Sequence, residues 1–135
     1  MRILVVIFSI CVSLAACDRV PQASGDTTPI AKAFEQHARD VQVEGEGVVS
    51  RILPDDNSGS PHQRFIVRLA SGQTVLIEHN IELAPRISDL GEGDPVSFAG
   101  EYIWNTQGGL VHWTHHDPAG RHVAGWLKHK GRTYQ

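Results

Sequence analysis

From Val43 onward the apolar residues recur at every second position, and this alternation constrains the fold more than any other feature of the chain. A period of two sends successive side chains to opposite faces of an extended backbone, so it calls for β-strands buried on one side. Phe65, Val67 and Leu69 form one such run, and Val96, Phe98, Gly100 and Tyr102 another. The 13 Gly and seven Pro divide the runs into short pieces, which favours turns and strands over a helical bundle.

The strand candidates are Val43–Leu53, softened by Gly45 and Gly47, then Arg64–Ala70 and Gln73–His79, joined by the hairpin signal Ser71-Gly72. Asn80–Leu90 reads as a connector with one or two helical turns, interrupted by Pro85. Asp94–Trp104, Leu110–Thr114 and His122–Leu127 follow as three further strands. Ahead of them lies a helix signal. Thr28 can cap, Pro29 suits the first turn, and Ile30, Ala33, Phe34, His37, Ala38 and Val41 share a face. Three strands, a connector and further strands follow the OB-like scheme. The expectation is a mainly β fold, a small OB-like closed β-barrel with one N-terminal helix, with a small β-sandwich as the alternative. Residues 29–135 are too few for more than one core.

Residues 1–16 (MRILVVIFSICVSLAA) carry one Arg, an apolar run and closing small residues. The run falls short of the roughly 20 apolar residues of a spanning helix, and has the form of an export signal. Leu14-Ala15-Ala16-Cys17 resembles the lipobox of bacterial lipoprotein precursors, which implies lipidation of Cys17 and removal of Cys11 with the signal. Residues 17–28 then read as the lipidated Cys and a flexible polar tether. The expected location is the bacterial cell envelope, with the domain facing the periplasm and touching the membrane through its lipid anchor alone. With 20% charged residues and a net charge of −3, the chain is neither a disordered acidic tail nor a basic nucleic-acid packager.

The C-terminal third is the distinctive part. It contains Gly100-Glu101-Tyr102, Trp104-Asn105, Gly108-Gly109, His112-Trp113-Thr114-His115-His116-Asp117-Pro118, Gly120-Arg121-His122 and Gly125-Trp126, with His79-Asn80-Ile81 upstream. These motifs resemble a bacterial family defined as domain of unknown function 3465, over roughly Val43 to Gln135. The resemblance implies an exported bacterial protein, and no reaction, cofactor or substrate comes with it.

Several chemistries are open to the cluster. Imidazoles and a carboxylate at His112, His115, His116, Asp117 and His122 suit zinc or another transition metal, although the spacing matches no established zinc motif. Asp117 can instead cap its own turn before Pro118, and the three Trp can be core. A third reading uses His79, Asn80, Trp104, Trp113, Arg121 and Trp126 to bind a glycan or an anionic ligand, with Lys128, Lys130 and Arg132 nearby. Nothing points strongly to nucleic acid. No nucleophile elbow, paired-carboxylate motif or phosphate loop is present. The primary expectation is therefore a non-catalytic ligand-binding barrel. The alternative is a metal-dependent hydrolase or nuclease-like enzyme built on His79, His112, His115, His116 and Asp117. Residues 102–135 carry four bases and one acid, so the five histidines there (112, 115, 116, 122 and 129) are expected to repel one another's charge and titrate below the ordinary value.

Overall fold

A computed structural model describes residues 28–135; the segments read as signal peptide and tether, with Cys17, lie outside them. Thr28 caps the helix α1 (Pro29–Glu35), its hydroxyl accepting from the Ala31 amide at 3.2 Å, and Pro29 stands in the first turn. Ile30, Ala31 and Ala33 are buried. The helix is shorter than its apolar stripe suggests. The chain turns at His37, where φ is +50°, and Val41 already lies in a strand.

Seven strands follow: β1 (Arg39–Asp56), β2 (His62–Arg68), β3 (Thr74–Asn80), β4 (Pro95–Ile103), β5 (Leu110–His112), β6 (Trp126–His129) and β7 (Arg132–Tyr134). The fold is mainly β with one short helix. All seven strands belong to one sheet in the order β1-β2-β3-β5-β4-β6-β7, and β4 also pairs with β1. Five strands are thus joined in a ring of ladders, with β6 and β7 added as an outer hairpin. Ser71-Gly72 makes the β2–β3 turn: the Gly72 amide bonds the Leu69 carbonyl at 2.9 Å, and Gly72 holds φ at +90°. Phe65, Val67, Val75, Ile77, Phe98, Tyr102, Val111 and Leu127 alternate inward and are fully or almost fully buried.

The connector after β3 contains turns and no helix. Gln63 holds it in place, its side-chain amide donating to the Ile87 carbonyl and its oxygen accepting from the Ile87 amide, both at 2.9 Å. The last strands also differ from the sequence expectation. The strand expected at His122–Leu127 begins only at Trp126 and runs to His129, and Arg132–Tyr134 add a further strand, β7. His129 closes this hairpin: it is buried, and its Nε2 lies 2.8 Å from an Asp94 oxygen.

One feature of β4 positions the candidate site. One edge of β4 pairs with β1 along its whole length. The other edge is shared, with Val96–Ala99 pairing with β6 and Glu101–Ile103 with β5. Between these partners the chain leaves as the excursion 113–125, which carries most of the His/Trp motif. β5 joins β3 through only Leu76↔Leu110 and Ile77↔Val111. Glu78, His79 and Asn80 therefore lie beyond its reach.

Candidate functional site

The His/Trp excursion is anchored by close backbone approach. A Cβ on Gly100 would collide with the His112 carbonyl oxygen, and one on Gly125 with those of Trp113 and Ala99. Glycine is needed at both places for the loop to leave and rejoin β4. β5 ends because Trp113 adopts φ +53°, a conformation that costs a bulky side chain about 1–3 kcal/mol.

That kink gives two neighbouring residues separate tasks. Thr114 is fully buried beside His79, which is also fully buried. His79 Nε2 donates to the Pro85 carbonyl at 3.1 Å. This fixes the proton on Nε2 and leaves Nδ1 to accept from the Thr114 hydroxyl at 2.8 Å. Burial, aided by the charge of His115 and His62 and opposed by the Pro85 bond, pulls the His79 pKa down to about 4. His79 is a neutral clip between β3, the connector and the loop.

Trp113 faces the other way. Its ring stacks on His122 with centroids 4.1 Å apart and an angle of 7°. His122 has an oxygen acceptor at each ring nitrogen: Val123 carbonyl to Nδ1 at 2.8 Å and Glu101 Oε2 to Nε2 at 2.5 Å. Both nitrogens must donate, which describes an imidazolium. Burial opposes that charge, but the Glu101 bond, the Val123 carbonyl, and the Glu101 and Asp117 charges outweigh it and raise the His122 pKa above 6.5. Glu101 holds a second imidazole, His112, through Oε1 at 3.0 Å. Burial pushes the Glu101 carboxyl up, and its bonds to His122 and His112 prevail and bring it below its usual range. The general depression expected of the C-terminal histidines therefore fails at His122. The carboxylate responsible, Glu101, is delivered by β4–β5 pairing opposite His112.

The remaining candidates are dispersed. The Asp117 carboxylate accepts from the Ala119, Arg121 and His122 amides at 2.8–3.0 Å, so it organises the loop. His115 is buried, with Nδ1 donating to the His116 carbonyl at 2.7 Å, while the His116 side chain is exposed. Arg121 is exposed. Trp104 lies against His37 beside the helix, with ring centroids 4.1 Å apart and the planes tilted by 34°. Trp126 lies on β6 under Lys128, whose ammonium is 4.3 Å from the ring centroid. Among the described residues no three His, Cys, Asp or Glu side chains gather so as to hold a metal ion. The set His112, His115, His116, Asp117 and His122 is thus not brought to a common point, because Glu101, the loop amides and a backbone carbonyl engage its members separately.

What does converge is a hollow of about 210 Å³ lined by His62, Asn80, Leu83, His112, Trp113 and His115. Four of these six were candidates from the sequence. His62 and Leu83 carry no such signal in the sequence, nor does Glu101, which holds His112. His62 opens β2 and pairs with Asn80 across the ladder, a neighbour relation between residues 18 positions apart in the chain.

A family model matches residues 10–135. The chain belongs to DUF3465, described as a protein of unknown function. No curated protein matches it. In this DUF3465 chain the most distinctive run, His112 to Pro118, is the loop that supplies half of the hollow's lining: His112, Trp113 and His115.

Proposed function

We propose that this chain is a lipid-anchored protein of the bacterial envelope, whose periplasm-facing domain is an OB-like closed barrel that binds a small ligand without catalysing its conversion. The ring of ladders β1-β2-β3-β5-β4-β1 supports the barrel reading, since OB-folds close five strands in a Greek-key barrel. The single observation that carries the binding reading is the hollow. Residues from β2, β3, the connector, β5 and the loop line it, and a packed core and a Trp in a strained conformation hold them in place. Polar groups converging on an apolar surface form the usual basis of a small-molecule site. A glycan or an anionic ligand suits the imidazoles and the indole.

Two experiments test the reading. Radiolabelled fatty acid should be incorporated into the wild type and not into Cys17→Ser, which should leave the membrane fraction. Thermal unfolding of the full chain should shift upward with a bound ligand from a panel of sugars, phosphates and carboxylates. A protein that is never lipidated overturns the anchor, and a midpoint unmoved by every probe overturns the binding site.

A further inference from the structure

Resting on the binding reading above, we infer that the hollow takes a neutral, hydroxyl-rich ligand, a single sugar ring or the end of a glycan, in preference to an anion. An inventory of the hollow's hydrogen-bonding positions supports this ligand class. His62 Nδ1 faces the Ser60 carbonyl at 2.7 Å, His115 Nδ1 the His116 carbonyl at 2.7 Å, and His112 Nε2 the Glu101 carboxylate at 3.0 Å. Each of these nitrogens meets an oxygen that can only accept, so each carries the proton. In a neutral imidazole the other nitrogen is then a bare acceptor. His62 Nε2, His115 Nε2 and His112 Nδ1 take no hydrogen bond from the described residues. In their neutral forms the three rings that line the hollow thus offer three lone pairs.

Asn80 supplies the opposite polarity. Its Oδ1 accepts from the Glu82 and Leu83 amides at 2.9 and 3.3 Å, which leaves its NH₂ group as donor. Three acceptors and one donor group match a ligand whose groups both donate and accept, as hydroxyls do. A carboxylate only accepts and hydrogen phosphate brings a single O–H donor, so either would meet one donor group and three lone pairs, with its negative charge facing the ionised Glu101 beside His112. A simple ammonium would satisfy the lone pairs and leave the Asn80 donors unmatched. The indole of Trp113, one face of which His122 covers, and the exposed Leu83 form the apolar part of the lining, against which the C–H groups of a pyranose can rest. The volume of about 210 Å³ is below the roughly 300–1,000 Å³ of drug-sized sites. One ring fits; a polymer reaches in only with its end.

The test is a titration of the ¹⁵N-labelled full chain, in a detergent without a sugar headgroup, followed by NMR. The probes are methyl glucoside, methyl galactoside, methyl N-acetylglucosaminide, sodium phosphate, sodium acetate and methylammonium chloride. At pH 7.5 at least one glycoside should saturably shift the Trp113 indole and the Leu83 amide, at lower concentration than any ion. His62→Ala, at the rim, should weaken that glycoside about tenfold, the loss of one good hydrogen bond, without moving the unfolding midpoint. His115→Gln is the second variant, and should also weaken it. Phosphate, acetate or methylammonium shifting these signals while no glycoside does overturns the ligand class and leaves the hollow as a binding site. A glycoside whose affinity neither variant changes overturns the nitrogen inventory. Signals unmoved by all six probes overturn both the class and the site.

Discussion

Trp113 and Thr114 are adjacent in the chain, and the histidines they touch are in opposite electrical states. On the inner side, His79 has one oxygen acceptor and one hydroxyl donor, is sealed from water and stays neutral. On the outer side, His122 has acceptors at both nitrogens, an aromatic face beneath it, and a carboxylate at 2.5 Å, and is charged. Residue type is the same in both places. The number of acceptors and the access of water set the charge. Clustered histidines in a sequence therefore do not titrate as one group, and a repulsion argument applied to the cluster as a whole fails.

The pH dependence of stability should separate the two sides, and gives the largest effect. His79 has a folded pKa of about 4 against 6.5 for the free side chain, so the unfolded chain binds the extra proton between these values. Its contribution is complete above pH 6.5 and lost as pH falls toward 4, on the order of 3 kcal/mol in all. Denaturant unfolding at pH 7.5, 5.5 and 4.5 should show this fall, and His79→Gln should flatten it. A wild type equally stable at pH 7.5 and 4.5 would mean that His79 is hydrated.

Next in size is Thr114→Val, which keeps shape and removes the hydroxyl. With Nδ1 of His79 buried and unpaired, stability at pH 7.5 should drop by about 1–2 kcal/mol, measured by urea unfolding. On the outer side the sign reverses. His122 has a raised pKa, so its contribution is full below pH 6.5 and lost as pH rises through the raised value. Glu101→Gln should abolish that alkaline decline and cost about 1 kcal/mol or less at pH 6. In ¹⁵N NMR titrations it should bring His122 back toward its ordinary range. The smallest effect is local. Asp117→Ala frees three loop amides, so hydrogen exchange should quicken at residues 119–122 while β1 to β4 remain protected.

What was legible in the sequence was local. Thr28 and Pro29 announce the helix start, Ser71-Gly72 the hairpin, and the alternation of Phe65, Val67 and Leu69 the inward face of β2, because each rests on neighbours a few residues away. The helix ends before its apolar stripe does, because Ala38 and Val41 continue the stripe past the turn at His37. The site was half legible. Asn80, His112, Trp113 and His115 do line one hollow, yet nothing in the spacing reveals that Trp104 turns to His37 beside the helix and Trp126 to a separate hollow by the helix start and β1. Glu101, His62 and Leu83 reach the site only through strand pairing and the connector. The burial of His129 depends on Asp94, 35 positions away.

The ring of ladders also has a consequence for the order in which the molecule assembles. β1, β2 and β3 are joined by consecutive antiparallel pairings, whose ends need travel little through the unfolded coil. The β1–β4 ladder joins Val41 to Tyr102, and β3–β5 rests on two rungs, Leu76↔Leu110 and Ile77↔Val111. Closing such distant segments costs chain entropy before any contact rewards it. The three-stranded meander is expected to form the nucleus, and the two-rung seam to close last. In stopped-flow measurements Val67→Ala should then slow folding, whereas Val111→Ala should chiefly accelerate unfolding. The excursion that carries Trp113 and Thr114 leaves from this late seam, so the hollow should acquire its shape at the final step of folding.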